Sequence, residues 1–123
     1  MLIPAFRPDT LAVCLCADWC HLCRSYQAIW SQLREEWPQV AFRWVDIEDE
    51  AELLGGLEVE DFPVVLIVHL GEPRFFGTVM PNADTLRLLL RSVASRQPLR
   101  PDPALAALVA ALLDETAAHL QRP

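Results

Sequence analysis

A chain of 123 residues can bury one sizeable core but not two comfortable ones. With 53% hydrophobic and 22% charged residues it is globular in composition, not disordered. A net charge of -7 with no basic run argues against nucleic acid as a partner, because phosphate binding requires a basic surface.

The N-terminal stretch, with Pro4 and Pro8 and with Arg7 and Asp9 interrupting it, lacks the basic region and clean apolar block of a signal peptide. The longest apolar runs are too short to span a bilayer, so no membrane association is expected. The expected location is cytoplasmic. In that reducing compartment four cysteines suit redox or metal chemistry better than a structural disulfide framework.

In chain order, "LAVCLC" (11–16) predicts a short buried strand. A helix is predicted from about Cys20 to Glu36, with Leu22, Tyr26, Ile29, Trp30 and Leu33 at helical spacing and Pro38 ending it. "VAFRWVDI" (40–47) reads as a second strand, and "EDEAELLGGL" as a short helix ending near Gly55–Gly56. "PVVLIVHL" (63–70) and "RFFGTV" (74–79), separated by "GEP", predict an antiparallel hairpin. Asn82 or Asp84 caps a helix running to about Arg96. A proline-rich connector (97–103) leads to a last amphipathic helix (104–120) with Leu105, Leu108, Val109, Leu112 and Leu120 along one stripe. The order β-α-β-α-β-β-α, plus one helix, predicts a layered α/β domain.

The chemistry concentrates in "WCHLC" (19–23), with Cys14 and Cys16 upstream. A cysteine at a helix start meets unsatisfied backbone N–H groups and the positive end of the helix dipole, which favour the nucleophilic thiolate. Cys23, about one turn further on, is within reach to resolve a mixed disulfide. Packing as small apolar side chains is the bland alternative. His21 is either an exposed first-turn residue or a pH-sensitive charge beside Cys20.

The segment resembles the thioredoxin superfamily. "ADWCHLC" is similar to the family's active-site signature, "VDIED" (45–49) to the strand end after its first helix, and "EDFPVVLIV" to the segment that carries its cis-proline. Gly77 and the capped helix after it fit the closing hairpin and last family helix. The likeness covers about residues 10–96. It implies an α/β thioredoxin-like fold, a central mixed sheet flanked by helices, in a single domain spanning 1–123, here with a shortened N-terminus and an extra C-terminal helix. It further implies that Cys20 attacks, that the buried Cys23 resolves, and that Trp19, Phe62 and Pro63 bind an extended substrate segment by strand addition.

In this chain the usual glycine-proline between the cysteines is His21–Leu22. Cys14 stands where the family has a buried aspartate, Cys16 where it has a tryptophan, and Trp44 near the place of its lysine. The activity implied is reduction of protein or peptide disulfides, with electrons from a reductase or small thiol and no bound cofactor or metal. A rival class is a metal-binding or assembly protein using Cys14, Cys16, Cys20 and Cys23 as thiolate ligands. A third is a non-enzymatic chaperone on the same scaffold. Cys14 and Cys16, i and i+2 on a strand, share one face with parallel Cβ directions, so they are not expected to bridge each other. Packing is the simplest account of both, with Cys16 the better candidate for a third redox sulfur.

Overall fold

The computed structural model describes residues 8–120, with the side chains of His119 and Leu120 outside the described set. The expected shortening of the N-terminus therefore falls largely on residues that are not described. Within the described residues the elements are β1 (Thr10–Cys16), α1 (His21–Glu36), β2 (Ala41–Asp46), α2 (Ala51–Leu54), β3 (Val64–His69), β4 (Glu72–Thr78), α3 (Ala83–Ser92) and α4 (Pro103–Leu120), with a 3-10 turn at Val93–Ser95. This is the predicted order.

The sheet runs β2-β1-β3-β4. β1 and β2 are parallel, as a helical crossover between them requires, and the other two pairs are antiparallel. β1 is interior and wholly buried, which explains its unbroken apolar reading. Successive residues on it point to opposite faces. Ala12, Cys14 and Cys16 join Val65, Ile67, Phe42 and Trp44 beneath α1 and α3. Leu11, Val13 and Leu15 join Val45, Val64, Leu66 and Val68 beneath α2 and α4.

α1 places Cys23, Tyr26, Trp30 and Leu33 on its buried face, and Leu22 falls outside it, exposed. α3 starts at Asn82, whose side chain accepts from the N–H groups of Asp84 and Thr85 at 2.9 and 3.1 Å, so the cap is Asn82 and not Asp84. Its buried Leu86, Leu89 and Leu90 complete that layer.

The hairpin corrects one boundary. "GEP" is not its loop: the turn is Leu70–Gly71, both at positive φ (52° and 79°), and Glu72 and Pro73 already belong to β4. Two positive-φ residues give the backbone twist that a two-residue hairpin needs. Pro73 is tolerated because β4 is an edge strand with a register shift beside it, opposite Ile67/Val68.

The C-terminal helix covers the face that α1 leaves bare. Asp102 caps it, accepting from Leu105 N–H at 2.8 Å, with Pro103 in the first turn where a missing N–H is harmless. Leu105, Leu108, Val109 and Leu112 are buried against the second face of the sheet. Arg43 of β2 ties the helix down, pairing with Glu115 at 2.8 Å and also with Glu50.

Candidate functional site

The sulfurs gather where β1 ends and α1 begins. Ile47 N–H donates to the Cys16 carbonyl at 2.9 Å, which holds the last strand residue in register with the start of the next loop. The chain then turns, with Cys20 N–H donating to the Ala17 carbonyl at 3.0 Å. Cys20 is the N-cap of α1 in extended conformation (φ -81°, ψ 120°), and no side chain caps the helix. Its thiol is free and partly exposed, while His21 and Asp18 beside it are exposed.

Cys23 lies three residues before Tyr26 and seven before Trp30, so it shares their inward face and points at the sheet. There it meets Cys16. The two are joined as a disulfide, Cα to Cα 5.7 Å, and each side chain is 2% exposed. The expected partner of Cys23 was Cys20; here it is Cys16, which favours the reading of Cys16 as a third redox sulfur over packing as the simplest account. The physical reason is direction. Position three of the helix and the last inward residue of β1 face each other, while Cys20, partly exposed, packs at the edge of the same cluster.

Cys14 is fully buried one strand pleat below, its Sγ 3.4 Å from that of Cys16. The two do not bridge, as the strand geometry predicts. With Cys16 bonded to Cys23, only Cys14 carries a hydrogen, so Cys14 donates. Burial pushes the Cys14 thiol far up from its ordinary range. Tyr26 is also pushed up, first by burial and then by its proximity to Cys14.

Trp19 is the most exposed aromatic at the site, at 63%, and its ring meets Phe62 edge-on at 5.8 Å. The Phe62–Pro63 peptide bond is cis, and Pro63 accepts from Val79 N–H at 3.0 Å. The structure thus brings Trp19, Phe62 and Pro63 alongside the helix start. His69 is elsewhere: it pairs with Thr10 across the far end of the sheet, Thr10 Oγ1 to His69 Nδ1 2.9 Å. Among the described residues no group of three or more Cys, His, Asp and Glu is arranged to hold a metal ion. Nor is any described helix long and apolar enough to cross a membrane.

Sequence reasoning missed the Cys16–Cys23 link. The signal was available in two periods read together: Cys16 on the even face of β1, and Cys23 in the Tyr26–Trp30 stripe of α1.

A four-stranded mixed sheet with a cysteine pair at the first strand–helix junction, facing a proline loop, defines the thioredoxin-fold class of thiol–disulfide proteins. The thioredoxin family model matches residues 7–88, two thirds of the chain, and the protein belongs to that family. Its structure is similar to thioredoxin from Trypanosoma brucei brucei, with a TM-score of 0.62 at 22% identity over 74% of this chain and 80% of that one. It is also similar to thioredoxin from Fasciola hepatica, with a TM-score of 0.61 at 22% identity over 74% and 84%. Thioredoxin from Plasmodium falciparum gives 0.62 at 16% identity over 72% and 85%. At these identities the likeness shows the fold. No curated protein sequence matches the chain. Family membership supports thiol–disulfide oxidoreduction as the general activity.

Proposed function

We propose that the protein reduces disulfides in protein or peptide substrates, with Cys20 as the attacking sulfur and Cys23 as the resolving one. The observation that carries this reading is the placement of the sulfurs: Cys20 is free and partly exposed at the start of α1, and Cys23 lies on the inward side of the same turn. An extended substrate segment lies along Phe62–Pro63, pairing with the Phe62 backbone, with the exposed Trp19 ring as its flank. Cys20 attacks the substrate disulfide and expels one thiolate. Cys23 then attacks Cys20 and expels the other. The two electrons delivered to substrate leave the protein oxidised, and a reductase or small thiol restores it. In the cytoplasm, the proposed location, the reducing thiol pool sets the net direction.

Insulin reduction with dithiothreitol as donor tests this. Cys20→Ser should abolish turnover and mixed-disulfide formation, and Cys23→Ser should accumulate a covalent substrate adduct at Cys20. Full reductase activity in Cys20→Ser sinks the reading.

A further inference from the structure

We propose that Cys16 is a third redox sulfur, to which the disulfide formed first between Cys20 and Cys23 is passed by exchange at Cys23. The proposal rests on the reading above and extends it inward.

Three observations carry it. Cys16 and Cys23 face each other across the strand–helix junction, bonded, while Cys20 is left as a free thiol. The linked pair is almost fully buried, whereas Cys20 is not. Finally, Cys14 places a sulfur 3.4 Å from Cys16 and has no bonded partner of its own.

The exchange balances without an outside reagent. The Cys16 thiolate attacks the Cys23 sulfur, the Cys16–Cys23 bond forms, and the Cys23–Cys20 bond breaks. Cys20 departs as a thiolate and takes up a proton equivalent to the one Cys16 gave up. No electrons enter or leave, because two had already passed to the substrate. Cys14 is a positioning residue in this step. Its S–H points to the Cys16 sulfur both as attacking thiolate and as half of the finished bridge. Burial opposes ionisation of both sulfurs, and the S–H that Cys14 donates across 3.4 Å offsets that penalty at Cys16 alone, so Cys16 becomes the nucleophile and Cys14 keeps its proton.

The oxidised protein then differs from a simple dithiol. Its two oxidising equivalents sit in a dry bond, and its surface still presents a reactive thiol.

The test uses fully reduced protein mixed with one equivalent of oxidised glutathione, quenched with acid over time, denatured and alkylated. Cleavage before Asp18 separates Cys14 and Cys16 from Cys20 and Cys23, so a Cys16–Cys23 bridge links two peptides and a Cys20–Cys23 bridge does not. The expected course is an early Cys20–Cys23 species replaced by Cys16–Cys23, in about tenfold excess at equilibrium, with Cys20 alkylated. In Cys16→Ser, and in Cys16→Ala should serine disturb folding by circular dichroism, the Cys20–Cys23 bridge should persist and Cys20 alkylation should disappear.

A wild-type end state of Cys20–Cys23 with Cys16 alkylated overturns the relay, and insulin reduction that depends on Cys20 would then leave the proposed function standing. Formation of Cys16–Cys23 at the wild-type rate in Cys20→Ser overturns it as well, because the bridge would then arise without exchange. Loss of both bridges together with absent insulin reduction removes both readings.

Discussion

The two faces of one sheet are built differently. Beneath α1 and α3 lie three sulfurs, the phenol of Tyr26, and Trp30 wedged edge-on against Phe42 and Trp44 at 5.2 and 6.1 Å. Beneath α2 and α4 the buried residues are Leu and Val throughout. The same strands supply both faces from alternate positions, so β1 contributes Cys14 and Cys16 to one and Val13 and Leu15 to the other. The division separates chemistry from anchorage. One face carries reactive and polar atoms whose geometry must be held, while the other supplies apolar burial without directional demands.

That separation can be broken experimentally. The largest effect should come from Trp30→Ala, which removes a 2%-exposed aromatic from the sulfur face at a cost of about 4 kcal/mol. Urea unfolding should show the loss, and the rate of disulfide exchange per folded molecule should fall, because α1 carries both Cys20 and Cys23. Leu112→Ala on the opposite face should cost about 3 kcal/mol, since its side chain is fully buried. Its exchange rate per folded molecule should stay at the wild-type value. An equal fall in the two variants would show that the faces are not independent.

Smaller effects sharpen the picture. Glu115→Ala removes one of two carboxylates held by Arg43, and because the pair is partly exposed the loss should be about 0.5 kcal/mol, shrinking with added salt. The least effect belongs to the link between α1 and α3, where Glu36 pairs with Arg87 at 2.7 Å. Hydrogen bonds from Arg87, then from Gln32, hold the Glu36 carboxyl down at about 2, below its ordinary 4.5. A lowered folded-state value stabilises the protein above the unfolded value, and that contribution fades as pH falls from about 4.5 through about 2. The stability gap between wild type and Glu36→Gln should therefore close over that window. A gap that stays constant down to pH 2 refutes the assignment.

Much of this architecture was readable in the residues. β1 and β3 announce themselves as unbroken apolar runs because both lie inside the sheet, and α1 shows its stripe because one side meets solvent. Asn82 is legible as a cap because its side-chain chemistry is local. The candidate site was legible in the same measure: a cysteine at a helix start, a tryptophan before it and a proline loop after the acidic helix are all local patterns. Two features were not. The Leu70–Gly71 turn was hidden because a leucine at positive φ is uncommon, and the proline after it looked like loop. The Cys16–Cys23 link was hidden because it depends on which way two elements face each other, which no single segment encodes. The stripe of α4 was legible because Leu105, Leu108, Val109 and Leu112 recur at helical spacing, and all four are buried against the sheet.

The strand parity that sorts the sulfurs onto one face also makes their bond a proofreading device for folding. If β1 slipped by one residue against its neighbours, Cys14 and Cys16 would rotate into the leucine layer under α4, out of reach of Cys23. A one-residue slip therefore cannot be sealed by oxidation. The loop so closed spans a sequence separation of 7, short enough that the cross-link restricts the unfolded chain by only about 2–3 kcal/mol. An oxidised molecule thus carries a covalent record of which face its central strand turned toward α1, and reduction erases that record at modest cost to the fold.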